Sequence, residues 1–124
     1  SSQVQANLTS PYFAFYKKIF NLYQLAALDF VERFRFFFHE PECIVIFGSF
    51  ARGEDSEQSD VDIFVLSSHA HPNSKDFQDY LQFLQKKLAR TFNLHVLNTL
   101  DGSDKQFRNA LANGIVLSGY LKVI

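Results

Sequence analysis

The stretch Cys43-Ile44-Val45-Ile46-Phe47-Gly48-Ser49-Phe50-Ala51-Arg52-Gly53-Glu54, answered by Ser59-Asp60-Val61-Asp62-Ile63-Phe64-Val65-Leu66, decides how this chain folds. An unbroken apolar run between Pro41 and Gly48 predicts a short strand buried on both faces. The polar segment from Phe50 to Ser59, with Gly53 inside it, predicts a short helical turn and then an exposed loop. Residues 60–66 form a second strand whose alternation puts Asp60 and Asp62 on one face and Val61, Ile63 and Val65 on the other. This pattern suits the handling of phosphate and metal. Glycine lets backbone approach an anion closely, serine offers a hydroxyl, and N–H groups opening a helix at Phe50 and Ala51 add the positive end of its dipole. Two carboxylates side by side on a strand are hard oxygen ligands for Mg²⁺ held together with phosphate oxygens.

Upstream, Ser10-Pro11 reads as a helix start, with Ser10 as cap and Pro11 in the first turn. Apolar residues recur at helical spacing at Tyr12, Phe15, Tyr16, Ile19, Leu22, Tyr23, Ala26, Phe30, Phe34 and Phe37, while Lys17, Asn21, Gln24, Glu32 and Arg35 form a narrower polar stripe. Asn21 with Gln24 fits a capping box, which predicts a joint near Phe20 between two helices, and Pro41 closes the segment. Downstream, Ser74 caps a helix carrying Phe77, Tyr80, Leu81, Leu84, Leu88 and Phe92 on one side. Asp76 and Asp79 lie near its start and Lys86, Lys87 and Arg90 near its end, which suits the helix dipole and reads as a solvated terminus. Leu94 to Thr99 predicts a third strand. Ser103 with Gln106 opens a short helix containing Phe107, Ala110 and Leu111, Asn113-Gly114 stops it, and Ile115 to Leu117 follows as strand or coil.

The whole chain has 124 residues, 47% of them hydrophobic and 20% charged, with net charge −1, which suits one globular domain. Its apolar runs are far shorter than the roughly 18 residues of a membrane span, and no secretion signal opens it, so the expected compartment is the cytoplasm. Cys43, the one cysteine, permits no intramolecular disulfide and no thiolate metal site, and its place in an apolar run predicts a buried thiol. Balanced charge gives no basic footprint for direct nucleic-acid binding by this segment. Of 15 Phe, eight lie within the first 38 residues, and there is no Met. The aromatic excess predicts an N-terminal helix that covers the sheet with one side and meets a second copy or another domain with the other. The Ser-Ser start without Met leads us to expect a processed chain or a piece of a longer one. His69 and His71 fall in a polar loop and read as surface residues, and His39 as one that serves a helix end.

Phe47-Gly48-Ser49-Phe50-Ala51-Arg52-Gly53-Glu54 with Ser59-Asp60-Val61-Asp62-Ile63 closely resembles the signature of minimal nucleotidyltransferases in the DNA polymerase beta superfamily. The order of elements extends the resemblance over most of residues 30–124. It implies an α/β (α+β) polymerase-beta-like fold, a small mixed sheet packed against helices. Residues 1–40 would be an N-terminal helical segment and a candidate linker from a domain upstream, and 41–124 the nucleotidyltransferase domain. Archaeal-type relatives that fuse such a domain to a helix-turn-helix module resemble Arg90-Thr91-Phe92-Asn93-Leu94-His95.

By this resemblance Gly48 and Ser49 bind the triphosphate of an NTP, with ATP the expected one. Asp60 and Asp62 hold Mg²⁺ or Mn²⁺ and are catalytic, and Arg52 and Ser59 join the substrate site. The family places a third carboxylate on the adjacent strand. The position aligned with it here holds His95, a poor Mg²⁺ ligand beside a carboxylate, and Glu54, Asp55 and Asp101 are the carboxylates that would have to fold back to replace it. Two readings follow. In the first, the domain transfers a nucleoside monophosphate to a hydroxyl on a partner protein, as antitoxin members of the family do to a tyrosine of a HEPN toxin. In the second, a catalytically degenerate domain binds nucleotide or oligomerises as a homodimer, attached to a DNA-binding module.

Overall fold

The computed structural model describes residues 11–69 and 71–122; the proposed Ser10 cap and the Ser-Ser start lie outside them. Among these residues the order is α1 (Pro11–Ala27), α2 (Phe30–Phe37), β1 (Cys43–Phe47), α3 (Gly48–Arg52), β2 (Val61–Leu66), α4 (Lys75–Leu88), β3 (Phe92–Leu97), α5 (Lys105–Ala112) and β4 (Ile115–Gly119). The four strands form one mixed sheet in the order β3-β2-β1-β4. β1 runs antiparallel to β2 and β4, and β2 runs parallel to β3. This is the mixed sheet packed against helices that the sequence implies.

Each face of the sheet has its own core. Ile44, Ile46, Val61, Ile63 and Val65 meet Leu25, Phe30, Phe34, Phe38, Phe77 and Leu84 from α1, the α2 region and α4. On the opposite face Cys43, Val45, Phe47 and Phe64 pack with Leu111 of α5, with Phe107 partly buried beside them. Cys43 is fully buried, and burial pushes its thiol up from the usual range, against the smaller opposing effect of a backbone hydrogen bond at Leu66. Tyr80 on α4 donates from its hydroxyl to the Leu28 carbonyl at 2.7 Å, and burial pushes its pKa up to about 12.

Three boundaries depart from the sequence reading. The break between the first two helices falls at Leu28-Asp29 rather than near Phe20, because Asp29 takes a left-handed conformation (φ 56°) and Asn21 is turned inward instead of capping. α4 ends at Leu88 on a left-handed Ala89 (φ 53°), so Phe92 leaves the helix and opens β3 two residues earlier than expected. α5 is capped by Asp104, whose carboxylate accepts from the Gln106 N–H at 3.1 Å, while the Ser103 hydroxyl donates to the Leu100 carbonyl. Ser74 caps α4 as expected, accepting from the Phe77 N–H. No helix among the described residues is long and apolar enough to cross a membrane.

α1 reverses the ordinary amphipathic arrangement. Its inward face carries Leu22 and Leu25 but also Lys17 and the buried Asn21, whereas Phe15, Tyr16, Ile19, Phe20 and Tyr23 each keep half or more of their surface in solvent. The polar stripe at Lys17 and Asn21 therefore lies against the protein, and much of the aromatic stripe faces out.

Candidate active site

β1 and β2 lie side by side with Phe47 opposite Asp62, and on the parallel side Asp62 stands opposite Asn93 of β3. The residues just after β1 and at the starts of β2 and β3 therefore meet at one end of the sheet. Phe47 is extended and gives the first turn of α3 no side-chain cap, so the N–H groups opening that turn have no intrahelical partner by the geometry of any helix start. Gly48 takes φ 78°, and a Cβ there would stand 2.3 Å from Asp62 Oδ2. The left-handed backbone favours glycine, and any side chain there would push the Asp62 carboxylate out of its present place. Ser49 is half-buried in the same turn.

Asp60 and Asp62 project beside one another, Asp60 exposed and Asp62 half-buried. Both accept from a single group, the Asn93 amide, with Nδ2 3.0 Å from Asp60 Oδ2 and 3.2 Å from Asp62 Oδ1. Asn93, not His95, is the β3 residue beside the two aspartates. His95 lies one alternation further along, opposite Phe64, with its ring 5.4 Å from those of Phe47 and Phe107. Alignment with the family pattern points to His95, whereas the register of β3 on β2 sets Asn93 opposite Asp62. Its signal was present in Phe92-Asn93-Leu94, where a polar residue between two apolar ones falls in register with Asp62, but Phe92 also satisfies the helical period of α4.

The other named carboxylates do not complete the pair. Glu54 is exposed and sits 3.5 Å from Arg52. Asp55 is buried between Lys17 and Arg90, and Asp101 follows β3 at the far end of the sheet. Ser59 serves its own loop: its hydroxyl accepts from the Ser56 N–H at 2.9 Å. Arg52 is half-exposed at the end of α3, where among the described residues its ion-pair partner is Glu54, at that long distance. Arg90 is no solvated terminus, because its guanidinium reaches back to the loop before β2.

Two carboxylates converging on one point, with no fixed cation between them among the described residues, fit a hard divalent ion that takes its remaining ligands from phosphate and water. The amide of Asn93 fits as well. Turned over, it offers its carbonyl oxygen to a cation, whereas toward bare carboxylates it must donate, which is the orientation observed. The set carries one negative charge fewer than three carboxylates. His39, His69 and His71 lie at the opposite end of the sheet, His39 and His69 with rings 5.4 Å apart, and no group of three or more His, Cys, Asp or Glu placed to hold a metal occurs among the described residues.

Residues 35–120 match the family described as Polymerase beta, Nucleotidyltransferase. Over 52 residues the chain is 35% identical to a Methanocaldococcus jannaschii protein named a candidate protein adenylyltransferase, a match covering 41% of this chain and 52% of that protein. The chain thus spans about half the length of that curated relative. Among solved structures it resembles one described as a toxin-antitoxin with AMP-PNP, at 22% identity and a TM-score of 0.54, covering 73% of this chain and 70% of the other. A mutant of the toxin-antitoxin MntA-HpeT matches at 18% identity and a TM-score of 0.54, over 74% of this chain and 71% of that one. At these identities the likeness is one of fold.

Proposed function

The chain belongs to the polymerase beta nucleotidyltransferase family, and from that premise we propose that it binds a nucleoside triphosphate, ATP by preference, with a divalent cation and transfers the nucleoside monophosphate to a hydroxyl of a partner protein. The observation that carries this reading is the meeting of Gly48, Asp62, Asp60 and Asn93 at one sheet end, where a methyl group on Gly48 would strike the Asp62 carboxylate. Gly48 and Ser49 grip the β- and γ-phosphates through backbone N–H groups and the serine hydroxyl, and Arg52 swings from Glu54 onto phosphate oxygen. Asp60 and Asp62 hold Mg²⁺ or Mn²⁺, which when bound offsets charge on the phosphates. The acceptor oxygen forms its bond to the α-phosphorus as the bond to the bridging oxygen breaks and pyrophosphate leaves. An amide takes up no proton at neutral pH, so the hydroxyl proton passes to one of the aspartates or to water, not to Asn93.

The adenylyltransferase relative and the toxin-antitoxin neighbours support a protein acceptor, and a tyrosine of a HEPN toxin is the acceptor we favour. The outward face of α1 suits a second copy. Phe15, Tyr16, Ile19, Phe20 and Tyr23 form an uncharged strip of roughly 500 Å² by ordinary aromatic areas, which approaches one partner's share of a small specific interface. Tyr16, Ile19 and Tyr23 also follow the alternating three-and-four spacing of a helix-pairing seam.

A second reading, a nucleotide-binding domain without transfer, is favoured by Asn93 standing where a third carboxylate would serve. Calorimetric titration with MgATP tests the shared first step: we expect binding by the wild type and none by the Asp60→Asn, Asp62→Asn double variant, and equal heats would refute it. Incubation of the chain and a HEPN partner with α-labelled ATP then separates the readings. Transfer predicts a labelled partner that is unlabelled with γ-labelled ATP, while binding alone predicts no labelled protein with either.

A further inference from the structure

Behind the loop that leads to Asp60 lies a charged cluster that touches neither aspartate of the site. The Asp55 side chain is wholly buried, with Lys17 Nζ 3.2 Å from Oδ1 and Arg90 Nη2 2.7 Å from Oδ2. Asn21 Nδ2 donates to Asp55 Oδ1 at 2.8 Å and to the Phe50 carbonyl at 3.0 Å, and Lys17 donates to the Asp55 carbonyl at 3.0 Å. Arg90 lies off the hydrogen-bonding direction of Asp55 Oδ2, so their contact is an ion pair rather than an aligned bond. Its other terminal nitrogen, Nη1, donates to the Ser59 carbonyl at 3.1 Å and to that of Ser56. The guanidinium carbon also lies 5.6 Å from the centre of the Phe50 ring.

One planar group therefore spans both ends of the Ser56–Ser59 turn, and Asp60 is the next residue. A lysine would bring the charge but not the fork that reaches a carboxylate and two carbonyls at once. Burying a carboxylate with two cations costs desolvation that their attraction does not reliably return, so such a cluster is weak evidence for stability and is better explained by what it holds in place.

We propose that Arg90, held by Asp55, is a positioning residue that fixes the loop delivering Asp60 to the cation site, and that Lys17 and Asn21 make α1 part of the same clamp. The proposal rests on the reading of Asp60 and Asp62 as cation ligands. Arg90→Lys in the full chain is the test, since it leaves a charge opposite Asp55 and removes the fork. Without any ligand, amide hydrogen exchange at residues 56–60 should rise by about tenfold while β1 and β2 keep their wild-type protection. Mn²⁺ alone, titrated by electron paramagnetic resonance, should bind about tenfold more weakly. Lys17→Met should move the same amides by a smaller factor.

Unchanged exchange at residues 56–60, or faster exchange spread over β1 and β2, overturns the clamp. Faster local exchange with unchanged Mn²⁺ affinity overturns its role in delivering Asp60. Wild-type protein that binds no Mn²⁺ defeats the cation reading itself and the delivery with it, an outcome distinct from clamp failure because the exchange measurement needs no metal.

Discussion

Asp55 and Asp60 stand in one loop, five residues apart, and the fold treats them oppositely. Asp55 is buried, with Lys17 and Arg90 as fixed cations and Asn21 as a fixed donor. Asp60 is exposed, and among the described residues the group between it and Asp62 is the neutral amide of Asn93. A carboxylate whose charge the chain itself neutralises has been spent on structure. A pair left with a neutral donor retains an attraction for any mobile cation.

The contrast makes graded predictions. Asp55→Ala leaves two cations facing a buried gap and should cost about 3–5 kcal/mol, a fall in melting temperature of roughly 10 °C or more, measurable by circular dichroism. Asp60→Asn with Asp62→Asn should leave stability within about 0.5 kcal/mol of wild type yet weaken Mn²⁺ binding by about a hundredfold or more. If the second pair of substitutions proves as destabilising as the first, the division between structural and ligand carboxylates is wrong. Asn93→Asp should bind Mn²⁺ about tenfold more tightly, lower metal-free stability by about 1 kcal/mol as two hydrogen bonds give way to repulsion, and speed labelled transfer. A variant that binds Mn²⁺ no better would show that the amide already serves as well as a carboxylate. Ser59→Ala should be smallest, costing about 0.5–1 kcal/mol for the turn-closing bond to the Ser56 N–H with little change in MgATP affinity.

The exposed half of this contrast was legible in the sequence and the buried half was not. Gly48, Ser49, Asp60 and Asp62 declare themselves because an apolar strand, a glycine turn and an alternating strand impose their relative positions whatever surrounds them. Asn93 was hidden by a helix that stops on a left-handed alanine, since nothing in Leu88-Ala89-Arg90 marks an end as glycine would, and the family alignment pointed to His95 two residues on. Lys17, Asn21, Asp55 and Arg90 were hidden by a sounder rule: polar residues on a helix or in a charged loop normally face water. Only the tertiary meeting of α1, the loop and the end of α4 turns four surface letters into one interior cluster. The break at Asp29 escaped for the same reason as that at Ala89, a left-handed residue that is not glycine.

The two faces of α1 also carry a thermodynamic consequence. Gly53, at the end of α3, lies so close under α1 that a Cβ would come within 2.1 Å of the Ala14 carbonyl oxygen, while the helix's aromatic side looks away from the protein. If the proposed nucleotide site and the proposed pairing of a second copy on α1 both hold, this helix has one face in each of two equilibria and ties them together. Whatever factor a nucleotide lends to association along the outer face, association must return to nucleotide affinity in equal measure. On those two proposals the MgATP dissociation constant should drift with protein concentration, with no residue altered, and a constant value would break the link.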